Sequence, residues 1–262
     1  LDESDADSYV VLGQILQWQG RNAAAEAVLK RALVLSPTNG DAREQLRTVR
    51  YALAPLVRPS AVYESDSDGN RMLTTSFTAS WHPAAHFELR ADGYRRALEQ
   101  TALERKATGG LIMGVLELEP GWTVTGGVGG SRTDAAGDPT HVAYRAGVRT
   151  PARFRVSAGV DLASQVLDET AVLADRGVRL TSFGGNVRWT PAPGWRVEGN
   201  TGYAYFKGTE DNSRVSGSLT ASRRLGRFFS LGASVRSFTY EKDLNEGYFD
   251  PDFYGIGEIT SY

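Results

Sequence analysis

The stretch FRVSAGVDL, Phe154–Leu162, alternates between apolar residues and polar or small residues along its length. Successive side chains of a β-strand point to opposite faces of a sheet, so this period of two predicts a strand with one apolar and one polar face. The stretch FSLGASVR, Phe229–Arg236, repeats the pattern. Similar segments recur from Ser60 to Tyr262 at a spacing of roughly ten residues, which predicts about twelve strands.

The connections between these segments alternate in length. Short turns are predicted at 83–84, 120–121, 151–152, 191–194 and 225–226. Longer polar loops are predicted at 66–70, 98–108, 134–139, 167–175, 208–212 and 241–252. One rim of short turns and one rim of long loops is typical of outer-membrane barrels, whose periplasmic turns are the short ones.

Aromatic residues gather at the strand ends of the apolar face, where amphipathic rings would lie at the headgroup level of a membrane. The predicted girdle comprises Trp81, Trp122, Trp189 and Trp195 beside the short turns, and Tyr203 and Tyr205 toward the opposite rim. The alternative is a soluble antiparallel barrel or sandwich, whose apolar face would point inward. We favour the membrane barrel, because a ring of about twelve strands is too wide for side chains to fill.

The polar face carries the candidate functional residues, because it would line the lumen of a membrane barrel. These residues are Arg145, Arg149, Arg155, Asp161, Arg188, Arg196, Glu198, Arg214 and Arg236. Guanidinium groups suit carboxylates, phosphates and the faces of sugars, so one interpretation is a path for an anionic or modified polysaccharide. The other interpretation is a solvated wall whose arginines pair with acidic residues of loops or of a plug.

The first part of the chain has a helical period instead. The stretch YVVLGQILQWQGRNAAAEAVLKRALVLSP, Tyr9–Pro37, resembles a tetratricopeptide repeat, a unit whose usual role is protein–protein scaffolding. The matching positions are Tyr9, Leu12, Gly13, Leu16, Gly20, Ala25, Leu29, Ala32 and Pro37. We therefore predict an α+β chain with a short helical repeat segment at residues 1–56 and an antiparallel transmembrane β-barrel at residues 57–262.

Composition and motifs give no indication of catalysis, a cofactor, a metal site or nucleic-acid binding. The 262 residues include no Cys and carry a formal net charge of −2. These values argue against cysteine-ligated metals and against polyanion binding through bulk charge. The run Gly126–Gly130 lies within a predicted strand and no helix follows it, so it indicates close backbone approach rather than a nucleotide loop. We predict no enzyme activity, since no nucleophile, base and orienting group cluster in the sequence.

A helical repeat followed directly by a barrel is a specific order of parts. The chain resembles the outer-membrane exopolysaccharide export proteins of the cellulose synthase operon protein C type and, more loosely, the poly-N-acetylglucosamine export porins. Three stretches carry the resemblance: Tyr9–Pro37, the link LRTVRYALAPLVRPS at Leu46–Ser60, and EGYFDPDFYGIGEI at Glu246–Ile259. The positions of the last stretch that are similar to a motif of the family's barrel are Gly247, Tyr248, Phe249 and Pro251.

The resemblance implies a porin-like channel of the bacterial outer membrane that exports an exopolysaccharide, cellulose or a related polymer, with the helical part in the periplasm. Its implied partners are the polymer, synthase components of the periplasm or inner membrane bound through the repeats, and outer-membrane lipid. The functional alternative is a structural anchor of an envelope complex with a plugged barrel.

The predicted strand number differs from that of the resembled family. Family barrels have about sixteen strands, so we expect a chain with about twelve to be cut short. The final residues support this expectation, because Thr260 and Glu258, rather than apolar residues, share the face of Tyr262. A genuine twelve-stranded barrel is the alternative.

Overall fold

The computed structural model describes residues 5–67, 69–84, 86–100, 102–118, 121–135, 140–226, 229–244 and 250–261. These residues form two compact units, one of Leu1–Arg58 with Ala79–Arg90 and one of Pro59–Thr78 with Ala91–Tyr262. Some predictions above fall on other positions. Pro120, Gly247, Tyr248, Phe249 and Tyr262 lie outside the described residues.

Three helices open the chain: α1 at Ala6–Trp18, α2 at Asn22–Leu35 and α3 at Gly40–Leu53. The side chain of Asp5 accepts hydrogen bonds from the backbone amides of Asp7 and Ser8, at 3.0 and 3.1 Å, and so satisfies free donors at the start of α1. Asn39 does the same for α3 through the amide of Ala42, at 3.0 Å. The helices share one apolar core, made of Leu16, Ala25, Leu29, Leu46 and Val49.

Twelve strands follow in the described part of the chain, and each is hydrogen-bonded to the next in sequence order. Their bounds are β1 Leu56–Ser65, β2 Asn70–Ala84, β3 Phe87–Gln100, β4 Leu103–Leu118, β5 Trp122–Thr133, β6 Thr140–Arg149, β7 Val156–Val166, β8 Arg179–Trp189, β9 Trp195–Lys207, β10 Asp211–Arg224, β11 Ser230–Tyr240 and β12 Tyr254–Ser261. A fourth helix, α4 at Ala171–Arg176, lies between β7 and β8. The predicted number of strands is confirmed for the described residues.

Two of the predicted loops are wrong. Most of 98–108 is strand, because β3 continues to Gln100 and β4 begins at Leu103. The prediction for 167–175 missed α4. Both errors have one cause, since Leu98 and Ala107 of the extended strands are buried against Ala171 and Ala174 of the helix.

The antiparallel register places one row of residues directly across β6 to β12. The row is Arg149, Gly159, Asn186, Asn200, Ser218, Arg236 and Ile256. Directly opposed residues share a face of the sheet. This row, together with every second residue from it in both directions along each strand, defines what is called the polar face below; the opposite side is the apolar face.

The glycine run of β5 allows the close backbone approach that its sequence predicts. A Cβ atom at Gly129 would lie 2.7 Å from the Cα of Leu111 on β4 and would also overlap the carbonyl oxygen of Gly110. A Cβ atom at Gly126, three residues earlier, would meet nothing within 4 Å. Of these two positions, therefore, only that of Gly129 leaves no room for a side chain.

We expect Gly129→Ala to destabilise the folded sheet by about 1–3 kcal/mol, the usual cost of forced overpacking. The urea midpoint of the protein refolded in detergent micelles, followed by tryptophan fluorescence, measures the effect. Gly126→Ala is the matched control and should leave the midpoint nearly unchanged. Equal shifts for the two variants would contradict the packing argument.

Candidate functional site

The apolar face of the sheet is the exposed one. Side chains on it that are more than half exposed include Val128, Val142, Phe183, Val215, Leu219 and Val235. Soluble proteins rarely expose a continuous apolar surface of more than a few hundred Å². The alternative of a soluble antiparallel barrel or sandwich requires the apolar face to be buried, and the exposure of this face argues against it.

All six aromatic residues of the predicted girdle are exposed, and five of them lie on the apolar face by the register: Trp122, Trp189, Trp195, Tyr203 and Tyr205, with Trp81 exposed on β2. Trp122 and Trp195 begin their strands and Trp189 ends its strand, each beside a short turn. The guanidinium of Arg223 lies 5.2 Å from the centre of the Trp195 ring. Near the opposite rim, the hydroxyl of Tyr205 donates a hydrogen bond to Asp211. Their role as a membrane girdle stays a prediction.

The register brings eight of the nine candidate residues onto the polar face. They are Arg145, Arg149, Asp161, Arg188, Arg196, Glu198, Arg214 and Arg236. Arg155 does not belong with them. β7 begins only at Val156, and Phe154 and Arg155 have positive φ angles of 51° and 64° within the tight turn that precedes it.

The guanidinium of Arg155 donates instead to the carbonyl oxygen of Pro191 in a neighbouring short turn, at 3.1 Å. The alternation of FRVSAGVDL continues through this turn, and a period of two does not mark where the strand begins. The predicted strand start at Phe154 and the predicted polar-face position of Arg155 are therefore wrong.

The charged residues of the polar face divide into paired and unpaired groups. Arg188 donates to Glu198 at 2.7 Å, and Arg236 lies 3.9 Å from Glu258 of β12. Asn200 donates to Ser218 at 3.1 Å. The side chains of Arg145, Arg149, Arg196 and Arg224 have no hydrogen-bond or ion-pair partner in the described part of the chain, and all four are exposed.

Residues 167–178, called the β7–β8 segment below, form a compact structure. The backbone amide of Leu167 donates to the carbonyl of Val178 at 2.8 Å, which closes the base of the segment. Thr170 caps α4 by accepting from the amide of Leu173 at 3.2 Å. Gly177 ends the helix with a φ of 62°, a left-handed conformation that glycine adopts without strain.

One side of the segment is attached to β3 and β4 by two ion pairs. The hydroxyl of Tyr94 donates to Asp168 at 2.6 Å, and the guanidinium of Arg96 binds both the carboxylate and, at 3.2 Å, the carbonyl oxygen of Asp168. Asp168 is only 3% exposed, so this is a buried charge with two partners. Arg105 of β4 binds Asp175 at 2.8 Å in a more exposed ion pair.

Tyr94 reaches Asp168 because β4 leaves room for its ring. The ring lies over Gly109, where a Cβ atom would come within 2.6 Å of the ring carbons. The guanidinium of Arg96 in turn lies 4.7 Å from the centre of the Tyr94 ring. A buried carboxylate with several donors is held firmly, whereas loss of one member leaves an uncompensated charge.

The other side of the segment packs on β9 to β11 through apolar contacts. Leu167, Leu173 and Val178 form one buried cluster with Ala204, Phe206 and Tyr240. Arg214 joins this cluster from the polar face, because its guanidinium lies 5.4–5.6 Å from the ring centres of Phe206, Phe238 and Tyr240. It also donates to the hydroxyl of Tyr240 at 3.1 Å.

The β7–β8 segment therefore contacts β3 and β4 on one side and the strands β9 to β11 on the other. It crosses the polar face between these two groups of strands, and the sheet must curve around it. The sequence prediction missed Tyr94, Arg96, Arg105, Asp168 and Asp175. One signal was available, because Phe206, Phe238 and Tyr240 fall on the polar face by their strand period. Aromatic rings on a polar face indicate that something covers them.

No helix of the described residues is long and apolar enough to span a membrane. Within the same residues, no group of three or more His, Asp or Glu side chains is placed to hold a metal ion.

No protein-family model matches the chain, and no curated protein matches it. Several solved structures are similar to it in fold, and they are outer-membrane β-barrel porins and transporters. The FrpB iron transporter from Neisseria meningitidis matches in its F5-1 apoprotein form with a TM-score of 0.52 at 12% identity over 71% of this chain. The F3-3 variant matches with a TM-score of 0.50 at 14% identity over 70% of this chain.

The sheet matches part of an outer-membrane β-barrel. The likeness concerns the fold alone, and the chain spans about two fifths of FrpB, 39% of the F3-3 variant and 41% of the F5-1 variant. Wzi of Escherichia coli, an outer membrane protein described as a carbohydrate-binding β-barrel involved in group 1 capsule assembly, is similar at a TM-score of 0.46 with 10% identity. It covers 79% of this chain, and 54% of its own length is matched.

Proposed function

We propose that the chain forms part of an outer-membrane channel that exports an exopolysaccharide, cellulose or a related polymer. The observation that carries the proposal is the reversal of the two faces: apolar side chains are exposed on one face, and the β7–β8 segment covers part of the polar face. This is the arrangement of a membrane barrel, whose outer surface meets lipid and whose inner surface meets water. It supports an outer-membrane location.

The composition of the polar face suits passage of a polymer. Asn186, Asn200, Ser218 and Ser222 offer short uncharged donors and acceptors along neighbouring strands. Weak, repeated contacts of this kind let a chain enter and leave without being trapped. Synthesis at the inner membrane would supply the energy, as the family resemblance implies.

The helices before β1 are proposed to be a periplasmic scaffold. α3 ends at Leu53 and β1 begins at Leu56, so the chain runs from the last helix into the start of β1, which is the strand end on the rim of short turns. In outer-membrane barrels that rim is periplasmic. The proposed partners are synthase components of the periplasm or inner membrane, bound through the repeat-like helices.

A second candidate function has an observation in its favour. The β7–β8 segment lies on the polar face and is fixed at both ends of its span, which favours a plugged barrel that anchors an envelope complex. The two candidates differ in one property. A channel conducts ions and is blocked by sugars that enter it, whereas a permanently plugged anchor does neither.

Single-channel conductance of the protein in a planar lipid bilayer tests the proposal. We expect stable open levels that cello-oligosaccharides or uronate oligosaccharides interrupt from the side of the short turns. Heat-dependent migration in SDS gels provides the control for correct folding. A correctly folded protein that shows no open level would reject export and leave the plugged anchor.

A further inference from the structure

Four arginines of the polar face have no hydrogen-bond or ion-pair partner among the described residues, and they lie from the short-turn end of the face toward its middle. Seven arginines and three carboxylates occupy the polar face of β6 to β12. The arginines are Arg145, Arg149, Arg188, Arg196, Arg214, Arg224 and Arg236, and the carboxylates are Asp161, Glu198 and Glu258. Arg188, Arg214 and Arg236 have partners, and Arg145, Arg149, Arg196 and Arg224 have none within the part of the chain that the structure describes; these four are called the free cations.

Two of the free cations lie next to each other. Arg196 of β9 is directly opposite Ser222 of β10, and Arg224 is the next residue of β10 on the same face. Such diagonal neighbours are about 7–8 Å apart, within reach of long side chains. Like charges at this distance repel each other unless an anion lies between them. The nearest strand pair offers one carboxylate, Glu198, and Arg188 already binds it.

Asp161 does not neutralise the arginines of β6. It is opposite Gly147, midway between Arg145 and Arg149, yet no guanidinium of the described residues lies within ion-pair distance of it. The two arginines are four residues apart on one strand, or about 13 Å. The free cations therefore extend from the short-turn end of the face toward its middle.

The same face also offers aromatic surface suited to a sugar ring. Phe238 of β11 and Tyr254 of β12 are directly opposite, their rings stack at a centroid distance of 4.9 Å, and both side chains are half-exposed. Aromatic faces pack against apolar faces of ligands, while guanidinium forks bind carboxylates with two parallel hydrogen bonds.

We infer that the polar face binds a glycan that carries carboxylate groups, a uronate polymer rather than a neutral one. The free arginines bind the carboxylates, and the exposed part of Tyr254, whose ring is stacked on Phe238, contacts a sugar face. This inference rests on the proposed function, because it names the substrate class of the same channel. It departs from cellulose itself, which has no charge for the free arginines to bind.

Two hexasaccharides of equal length and equal β-1,4 linkage test the inference, a mannuronate hexamer and cellohexaose. Binding to the full chain in detergent is measured by calorimetry, and block of the open channel is measured in the bilayer. We expect the mannuronate hexamer to bind and block far more strongly than cellohexaose, and its binding to weaken as salt is raised, because exposed charges are screened. Equal binding of the two sugars would overturn the inference.

Arg196→Gln should weaken binding of the mannuronate hexamer about fivefold, the effect of losing one solvent-exposed ion pair. Arg71→Gln is the matched control, since Arg71 of β2 pairs with Glu99 of β3 and both lie outside the strands β6 to β12. If Arg196→Gln does not fold, the salt dependence of hexamer binding to the unmodified protein still tests the inference. Binding that does not weaken as salt is raised would contradict it. An inorganic polyphosphate of equal charge separates the two parts of the inference, because equally tight polyphosphate binding would reject recognition of the sugar.

The results also separate the inference from the proposed function. Binding of the uronate without any conductance would reject the open channel and keep the ligand class. Conductance without preference for the uronate would keep the channel and reject the ligand class.

Discussion

Replacing Asp168 with alanine is expected to raise the single-channel conductance of the protein several-fold. The substitution removes the acceptor of Tyr94 and Arg96 and leaves the guanidinium of Arg96 without its carboxylate in a largely buried place. Breaking a buried ion pair from one side costs about 3–5 kcal/mol. That cost falls on the contact between the β7–β8 segment and β3, so the segment should leave the polar face more often.

The second ion pair of the same segment supplies the control. Asp175 pairs with Arg105, but its side chain is 38% exposed, so water can replace the lost partner. Asp175→Ala should therefore cost about 1 kcal/mol or less and change the conductance little. Asp168→Asn, which keeps the shape and removes the charge, should give an intermediate result.

A covalent lock shows whether movement of the segment causes the change. Ala107 of β4 and Ala174 of α4 belong to one buried cluster, and the chain has no Cys of its own. Cysteines at both positions, joined by oxidation or a short bis-maleimide, should return Asp168→Ala to low conductance. Two results together would contradict movement of the segment: Asp168→Ala has the conductance of the unmodified protein, and trypsin cleaves it after Arg176 no faster than it cleaves the unmodified protein.

Much of the sheet is predictable because its determinant is local. Alternation within FRVSAGVDL depends only on which face each side chain meets, so strand number and face assignment can be read without tertiary knowledge. Arg155 shows the limit of prediction from local alternation. A tight turn with positive φ at Phe154 and Arg155 interrupts the strand without interrupting the alternation.

The β7–β8 segment is not predictable in the same way, because its partners are far away in sequence. Asp168 and Tyr94 are separated by 74 positions, and nothing in the local pattern of either indicates the other. Nor does composition reveal which arginines are free. Glu198 is two residues from Arg196 and ten residues from Arg188 in sequence, yet the register places it directly opposite Arg188.

The reversal of the two faces makes a further prediction on which the membrane assignment depends. Leu219 and Ser218 are neighbours near the middle of β10, so a substitution at either meets the same backbone. Leu219 is 51% exposed on the apolar face, opposite Gly199 and Val235. Ser218 is on the polar face, where it accepts a hydrogen bond from Asn200.

We expect Leu219→Lys to destabilise the protein in phospholipid vesicles by about 2–4 kcal/mol, the cost of a lysine at the lipid-facing midplane of a barrel. Ser218→Lys should cost far less, because its ammonium group stays in water and only one exposed hydrogen bond is lost. Urea unfolding from vesicles measures both. In a soluble protein Leu219→Lys would not be the more destabilising of the two substitutions, since replacing an exposed Leu with Lys usually changes the stability by no more than about 0.5 kcal/mol. A Leu219→Lys protein as stable as Ser218→Lys would therefore argue against lipid contact at the apolar face, and the export proposal would lose the observation on which it depends.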